Sequence, residues 1–323
     1  MLLKKLILSI LFMAASFGSN AAQTLRPALH ARLVELTSEN KGSVLLWDIR
    51  QEKILTQVRE GVFYSPHCVG SLLKPFLVLA AAEDHLFDVQ NSEIVRLRFP
   101  LLACTGDSTA RCPVECWYKR GHGLLDLKSA LAVSCNQFFF QLAQRVSAKT
   151  YCGILEKFGL VFVKEKDSRN ASRDFTEQDV SPELMIGLNS QFRLIPFDLL
   201  KAYLVLLNGG YLQKGGRIHF SSEMDAAIHN IGSALRLAAL GGTSQLAQSE
   251  LPKNSLLIGK TGTSPRIMGQ QVVPYKTDGW FVGAFPAEQP AIAVMVYFPK
   301  GLGAKNAAPL GGKAMRAYLQ ALR

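Results

Sequence analysis

The sequence predicts a mixed α/β protein of the α+β class, in which both ends of the chain build one antiparallel five-stranded sheet, flanked by helices, beside an all-helical lobe. Two strand-like stretches lie near the start and three near the end of the chain, at 42–49, 53–58, 255–260, 279–285 and 291–298. From about 83 to 249, apolar residues instead recur at helical spacing. The α/β part therefore covers about 23–82 and 250–323, and the helical lobe is inserted between its two pieces.

The individual elements follow from local patterns. Residues 50–52 form a polar turn between the first two strands, which is typical of a hairpin, and the last three strands are spaced like antiparallel neighbours. Helical spacing predicts helices in the middle of the chain at 127–146, 149–158 and 196–207. The last of these ends at Asn208-Gly209-Gly210, and an amphipathic helix at 312–322 closes the chain. No repeat, low-complexity stretch or linker interrupts the pattern, so we expect a single domain over 23–323.

Residues 1–22 have the pattern of a secretory signal peptide. Lys4 and Lys5 form a positively charged start, and the apolar stretch that follows, 6–17, is too short to span a bilayer. Ser19-Asn20-Ala21-Ala22 then supplies small residues for cleavage. We expect an exported protein that works in the periplasm or another extracytoplasmic space; an uncleaved N-terminal anchor is the alternative. No cysteine directly follows the apolar stretch, which argues against a lipoprotein.

Composition and charge narrow the class further. The hydrophobic fraction of 48% and the aromatic fraction of 9% are those of a globular protein with a sizeable core and exclude a disordered chain. The net charge of +11 fits an anionic neighbour such as a membrane face or a cell-wall polymer. Evenly spread solvated lysines are an equal alternative, because no basic run after residue 22 is longer than two residues. We expect no nucleic-acid partner.

The cysteines are even in number, which permits disulfides in an exported protein. They are Cys68, Cys104, Cys112, Cys116, Cys135 and Cys152. Cys104, Cys112 and Cys116 are the expected source of one bridge, although connectivity cannot be read from spacing. A zinc site made of these three with His122 is the less favoured alternative, because paired Cys-x-x-Cys elements are missing. We therefore expect neither a metal nor another cofactor.

Gly70-Ser71-Leu72-Leu73-Lys74-Pro75-Phe76 is the stretch around which the rest of the chain is organised. Ser71 and Lys74 stand three residues apart, so on a helix the amine can reach the hydroxyl and act as its base once burial lowers the amine's pKa. Pro75 lacks an N–H group and is tolerated only in the first turn of a helix, so the helix begins close to Ser71. The unpaired N–H groups of that first turn can serve an oxyanion hole. The structural alternative is a helix cap beside a solvated lysine.

Two further short motifs carry polar groups suited to a substrate. Ser134-Cys135-Asn136 lies between two helical stretches, where a turn would present a hydroxyl and a carboxamide to a cleft. Gly259-Lys260-Thr261-Gly262-Thr263-Ser264 lies at the end of a predicted strand. In an edge strand Gly262 would let an extended peptide approach and pair, and Lys260 with the two threonines would favour a carboxylate. Alone, the first motif is by default a turn that connects two helices, and the second is equally explained as a strand that ends in a turn.

Taken together, Ser-x-x-Lys, Ser-x-Asn and Lys-Thr-Gly in this order resemble the penicillin-binding transpeptidases and the related serine β-lactamases. The resemblance extends to four further stretches and covers most of the chain after residue 42. These are Gly121-His122-Gly123 with Ala130-Leu131, Pro196 to Gly210, Gly279 to Gly283, and the residues around Ser71. It implies a transpeptidase-like fold and a serine acyltransferase that acts on peptidoglycan stem peptides ending in D-Ala-D-Ala, with β-lactam antibiotics as covalent ligands.

The resemblance also implies a role for each residue. Ser71 is the acylated nucleophile, Lys74 its base, and Ser134 the relay towards the leaving amine. Lys260 keeps the pKa of Lys74 low and attracts the terminal carboxylate. The substrate-binding residues are Asn136, Thr261, Gly262 and Thr263, with the N–H groups of Ser71 and Thr263 forming an oxyanion hole.

Departures from the family pattern leave other hypotheses open. About twenty residues separate the predicted signal from the first strand, so we expect neither a pedestal nor a glycosyltransferase domain. This keeps a second hypothesis, a sensor that binds cell-wall peptide or antibiotic for a partner protein. A third, a serine β-lactamase, is disfavoured because Ser-x-Asn differs from the class D triplet and Glu183 with Asn189 has the wrong spacing for class A. Transpeptidation and carboxypeptidation are not separated at this point.

Overall fold

The computed structural model describes residues 19–91, 94–164, 175–209, 218, 220–268 and 271–322. Its strands, in chain order, are β1 (Ser43–Asp48), β2 (Lys53–Val58), β3 (Phe87–Asn91), β4 (Ile94–Leu97), β5 (Val163–Lys164), β6 (Phe192–Arg193), β7 (Ile258–Met268), β8 (Gln271–Phe285) and β9 (Ile292–Phe298). Five of them form one antiparallel sheet in the order β2-β1-β9-β8-β7. Since β1 pairs with β9, the two ends of the chain close the sheet, and the predicted fold class is confirmed.

Helices cover both faces of this sheet. They are α1 (Ser19–Thr37), α2 (Lys74–Glu83), α3 (Leu127–Ala132), α4 (Asn136–Ala143), α5 (Ala148–Lys157), α6 (Pro182–Met185), α7 (Pro196–Leu207), α8 (Ser222–Gly241), α9 (Gln245–Gln248) and α10 (Ala308–Ala321). Along β1, Leu45 and Trp47 join the core shared with the helical lobe, whereas Val44 and Leu46 join the core under α1 and α10. Successive side chains of a strand point to opposite faces of the sheet, which explains this alternation. The sheet therefore separates two apolar cores.

Helix α2 is the element that carries the site into the middle of the molecule. Every residue from Lys74 to Ala82 is buried, and Phe76 packs edge-on against both Phe158 and Tyr203. A helix that is apolar on all sides belongs in a core, because no face of it gains from contact with water. The Tyr203 hydroxyl donates to the carbonyl of Leu72 just ahead of α2, which fixes where the helix begins.

The structure differs from the expected elements in three places. Helix α1 was not predicted, although its Leu29 and Leu33 are fully buried under the sheet. The lobe is mainly helical but also contains the hairpins β3–β4 and β5–β6. Strands β7 and β8 pair with each other well beyond the predicted 255–260 and 279–285, through polar residues such as Thr263 opposite Gly279. Backbone hydrogen bonds hold these extensions, so no apolar alternation marks them in the sequence.

The predicted signal peptide falls outside the described residues except for 19–22, which form the first turn of α1. No helix within the described ranges has both the length and the apolar character required to cross a bilayer. The predicted helix at 196–207 coincides with α7, which is followed by Asn208 and by Gly209 in the left-handed region; Gly210 lies outside the described residues. The closing helix begins earlier than expected, because a π-turn at Gly303–Ala307 leads directly into α10.

Candidate active site

Ser71 lies in a 3-10 turn, Gly70–Leu73, that leads into α2. An α-helix was expected here, and the tighter turn leaves Ser71 half-buried while Lys74, at the first position of α2, is fully buried. Gly70 has φ +61°, and a Cβ on it would lie 2.4 Å from the carbonyl oxygen of Thr263. Only glycine tolerates both constraints, so the turn is pressed directly against β7.

The amine of Lys74 is held by the Ser134-Cys135-Asn136 turn. Lys74 Nζ donates to the carbonyl oxygen of Ser134 and to Oδ1 of Asn136, both at 2.8 Å, and lies 3.4 Å from Ser134 Oγ. Among the described residues no carboxylate acts on this amine, and the Phe139 ring lies 5.3 Å away. Burial therefore lowers the pKa of Lys74 to about 8. An amine of this kind is poised to accept a proton near neutral pH.

Ser134 occupies the break between α3 and α4 in a strained conformation. Its φ of 55° lies in the left-handed region, which is uncommon for a residue other than glycine. In this conformation Oγ lies in the site, where it accepts a hydrogen bond of 2.7 Å from Lys260 Nζ. Asn136 begins α4, and its Nδ2 donates to the carbonyl oxygen of Glu115 at 3.1 Å. Hydrogen bonds to Lys260 on one side and to the Glu115 carbonyl on the other therefore hold the turn in place.

Lys260 reaches the same hydroxyl from β7. It is fully buried, and besides Ser134 Oγ its amine donates to the carbonyl oxygen of Thr261 at 2.9 Å. Burial lowers its pKa well below the ordinary value, and the charge of Lys74 lowers it further. The motif resemblance predicts that Lys260 keeps the pKa of Lys74 low; in the structure, removal from water is the main cause of the low pKa of both amines. Two buried amines thus converge on one hydroxyl.

The Lys-Thr-Gly segment lies inside β7 at the edge of the sheet, as the edge-strand interpretation predicts, and the alternative of a turn at the end of the strand is wrong. Thr261 is buried and Thr263 half-buried, and Thr263 Oγ1 accepts a hydrogen bond of 3.0 Å from the N–H of Gly303. A Cβ on Gly303 would lie 2.2 Å from the carbonyl oxygen of Gly262, so this contact too requires a glycine. Sequence reasoning did not single out Gly303, and the only signal for it was its place in Gly301-Leu302-Gly303 after β9.

Hydrogen bonds bring together four of the predicted site residues: Lys74, Ser134, Asn136 and Lys260. The remaining ones lie beside this group because the 3-10 turn with Ser71 packs against β7, which carries Gly262 and Thr263. Within the described part of the chain, no hydrogen bond involves the Ser71 hydroxyl. Apo sites commonly hold their catalytic hydrogen bonds loosely until substrate is bound, so the role of Ser71 stays a proposal.

Gly262→Ala is expected to separate the 3-10 turn from β7. A Cβ on Gly262 would lie 2.3 Å from the carbonyl oxygen of Val69, which is backbone and cannot rotate away. We expect a loss of about 1–3 kcal/mol in the free energy of unfolding and a fall of about 10²-fold in any acylation of the protein, because a shift of about 1 Å can cost that much. Urea unfolding and the rate of labelling by a fluorescent penicillin measure both.

Gly61→Ala is the matched control for this substitution, because no atom lies within 4 Å of the position its Cβ would take. We expect the control to behave like the wild type in both measurements. Equal rates and equal stability for Gly262→Ala and Gly61→Ala would contradict the close contact described above.

The cysteines do not form the expected bridge. All six are free, and the Cys112 thiol lies apart from the other two, 4.0 Å from the carbonyl oxygen of Gln137. In the loop from 98 to 126, the thiols of Cys104 and Cys116 instead meet Nδ1 of His122, and Cys135 joins them from the Ser-x-Asn turn. Cys135 thus takes the place that the sequence analysis gave to Cys112. These four are the described residues that could hold a metal ion.

Comparison with known proteins agrees with this geometry. The family profile described as penicillin binding protein transpeptidase domain matches residues 34–316. The chain is 23% identical to the peptidoglycan D,D-transpeptidase MrdA of Haemophilus influenzae over 98% of its own length, and spans 58% of that relative.

Solved structures show the same fold. The transpeptidase domain of penicillin-binding protein 3 from Burkholderia pseudomallei superposes with a TM-score of 0.71 at 18% identity, covering 93% of this chain and 95% of that one. PBP2 from Pseudomonas aeruginosa, solved in complex with WCK 5153, superposes with a TM-score of 0.69 at 18% identity, covering 90% of this chain and 76% of the other.

Proposed function

This chain belongs to the penicillin-binding protein transpeptidase family, and we propose that it is a serine acyltransferase acting on peptidoglycan stem peptides that end in D-Ala-D-Ala. The observation that carries the proposal is the Ser134 hydroxyl, hydrogen-bonded to Lys260 and within 3.4 Å of Lys74, beside the turn that bears Ser71. Buried amines without a carboxylate partner are what a serine nucleophile needs as its base.

In the first half of the reaction, Ser71 Oγ attacks the carbonyl carbon of the penultimate D-alanine. Its proton passes to the neutral amine of Lys74, and the N–H groups of Ser71 and Thr263 stabilise the oxyanion of the tetrahedral intermediate. The intermediate collapses as the C–N bond breaks, and the leaving amine of the terminal D-alanine takes a proton through Ser134. The products of this half are free D-alanine and an ester on Ser71.

In the second half, an amine or a water molecule attacks the ester carbon. The attacking group loses a proton to the same Lys74–Ser134 pair, the C–O bond to Ser71 breaks, and Ser71 recovers its proton. An amine from another stem peptide gives a cross-link, whereas water gives a trimmed peptide. The Lys74–Ser134 pair both accepts and returns a proton, so Lys74 must be a neutral amine again at the start of each half-reaction.

Substrate recognition is assigned to β7 and the Ser-x-Asn turn. As the edge strand of the sheet, β7 can pair with an extended peptide through its backbone groups. Lys260 attracts the terminal carboxylate, Thr261 and Thr263 bind it, and Asn136 binds the amide of the stem peptide. The positive charge of the chain, +11, favours an anionic cell-wall polymer as a neighbour.

Work on such a substrate places the protein outside the cytoplasm, in keeping with the signal peptide predicted at residues 1–22. A partner protein at the cell wall is part of the same proposal. It is supported by the structure of PBP2 from Helicobacter pylori, which was solved in a complex with MreC and resembles this chain with a TM-score of 0.67 at 15% identity.

The test is a mass-spectrometric assay of muropeptides carrying a pentapeptide stem. We expect free D-alanine together with either a cross-linked dimer or a trimmed tetrapeptide, which differ in mass and so identify the acyl acceptor. The Ser71→Ala protein is the control and should yield none of these products. A stable penicillin adduct without any product would instead support the sensor hypothesis, and rapid hydrolysis of nitrocefin would support a β-lactamase.

A further inference from the structure

We propose that Asn306 is a positioning residue for substrate recognition: it holds the start of the π-turn against β7 and thereby fixes the Thr263 hydroxyl as a hydrogen-bond donor to a terminal carboxylate. The inference rests on the proposed function, because Thr263 is one of the residues assigned to that carboxylate. Asn306 belongs to none of the three short motifs of the site. It acts through Thr263 and does not itself touch the substrate.

The side chain of Asn306 reaches back to Leu302, the residue that precedes the π-turn. Its Oδ1 accepts a hydrogen bond of 2.8 Å from the N–H of Leu302, and the N–H of Asn306 donates to the carbonyl oxygen of Leu302 at 2.9 Å. As in a capping box, the side chain satisfies an N–H group that the start of a helix otherwise leaves without a partner. Both backbone groups of Leu302 are therefore held by one residue.

The next N–H group along the chain donates to the site. The N–H of Gly303 forms a hydrogen bond of 3.0 Å with Thr263 Oγ1. A hydroxyl that accepts one hydrogen bond keeps its own hydrogen for a different acceptor. Thr263 is half-buried on the edge strand, so that acceptor can belong to a bound ligand. The contact with Gly303 thus suits the hydroxyl to a carboxylate oxygen, which can only accept.

Close packing leaves Leu302 and Gly303 little room to move away from the sheet. Gly279 lies directly opposite Thr263 in the β7–β8 ladder. A Cβ on Gly279 would lie 2.7 Å from the carbonyl carbon of Leu302, and one on Gly303 would lie 2.2 Å from the carbonyl oxygen of Gly262. The donor of the π-turn is therefore wedged against both strands at the level of Thr263.

Strand β8 holds the residues that come just before. Thr277 Oγ1 donates to the carbonyl oxygen of Gly301 at 2.9 Å. Asp278 Oδ1 accepts a hydrogen bond of 2.9 Å from the N–H of Lys300. These two bonds end before Leu302, and the carboxamide cap described above extends the hold to the residue beside the N–H donor. Loss of the cap should therefore loosen the donor while the strands stay paired.

The test compares labelling by a fluorescent penicillin, whose carboxylate stands in for that of the stem peptide, with labelling by its methyl ester. Thr263→Val should lower the ratio of the two second-order rates about tenfold or more, because a hydrogen bond to a charged group contributes that much. Asn306→Ala should lower the ratio about threefold or more by releasing the same hydroxyl. General damage to the site would slow both probes alike, so an unchanged ratio in Asn306→Ala would overturn the proposal.

A double variant separates action through Thr263 from any other effect. Asn306→Ala combined with Thr263→Val should show the same ratio as Thr263→Val alone, because the two residues act as one unit. A further fall in the ratio would contradict this. Asn40→Ala is the matched control: Asn40 is also half-buried, and its Oδ1 likewise accepts a backbone N–H, that of Gly42 at 2.7 Å. It should keep the wild-type ratio.

Amide hydrogen exchange, resolved by residue in the full chain, tests the contact without a substrate. Asn306→Ala should speed exchange of the N–H groups of Leu302 and Gly303 about threefold or more, whereas Thr263→Val should speed that of Gly303 alone. Unchanged exchange at Gly303 in Asn306→Ala would overturn the proposal. Exchange does not depend on acylation, so a failure of this contact and a failure of the proposed function give different results.

Discussion

Replacement of Ser71 by alanine is expected to abolish covalent labelling of the protein by a fluorescent penicillin. In the proposed mechanism the Ser71 hydroxyl oxygen forms the ester, and alanine offers no oxygen in its place. The loss should reach at least about 10³-fold, the scale on which removal of a nucleophile acts. The measurement is the second-order rate of labelling, followed on a gel, with wild type and variant side by side.

Ser249→Ala is the matched control for this experiment. Ser249 is exposed, and its hydroxyl donates to the carbonyl oxygen of Leu246 one turn earlier. It should label like the wild type. If Ser71→Ala and the wild type were labelled equally, or if neither were labelled, Ser71 would not be the nucleophile.

Lys74→Met should slow the same reaction by about 10²–10⁴-fold, the usual contribution of a general base. Methionine fills similar space but cannot accept the proton of Ser71. The variant also removes the donor to the Ser134 carbonyl and to Asn136 Oδ1, so one buried and one half-buried acceptor lose a partner. Each acceptor left without a partner lowers the free energy of unfolding by at most about 1–3 kcal/mol. Thermal unfolding should therefore be recorded together with the labelling rate. Lys149→Met, at an exposed position of α5, is the control.

The pH dependence separates loss of the base from mere disruption. Burial lowers the pKa of Lys74 to about 8, so the amine is mostly protonated below that pH and mostly free above it. Because only the free amine can accept a proton, the wild-type rate should fall about tenfold per pH unit below 8 and level off above it. Lys74→Met should show no such slope. A wild-type rate that is constant across pH 8 would exclude Lys74 as the base.

The sheet shows which strands the local hydrophobic pattern of the sequence can predict and which it cannot. The continuous apolar runs of β1 and β9 predicted both strands to within a residue or two, because each strand is buried on both faces. The extensions of β7 and β8 carry no such pattern and are held by each other's backbone. Helix α1 was missed for a related reason: Leu29 and Leu33 are buried only because the sheet lies beneath them.

For the cysteines, too, the local sequence predicts less than the tertiary structure decides. Their even number and their spacing suggested a bridge within Cys104, Cys112 and Cys116. The path of the loop decided otherwise, since it turns Cys112 towards Gln137 and brings Cys135 to Cys104 and Cys116. Which thiols meet depends on where an irregular segment runs, and no periodicity encodes that.

By itself the sequence determined the order and chemistry of the parts: two groups of strands around a helical insert, and three motifs with a hydroxyl, a carboxamide and two amines. The tertiary structure alone decided that Lys74 and Lys260, which lie 60 and 126 residues from Ser134 along the chain, meet at its hydroxyl. Local pattern records which face of an element is apolar. Contacts over such separations are selected by the burial of the whole core, which closes the sheet from both ends and leaves these amines without water.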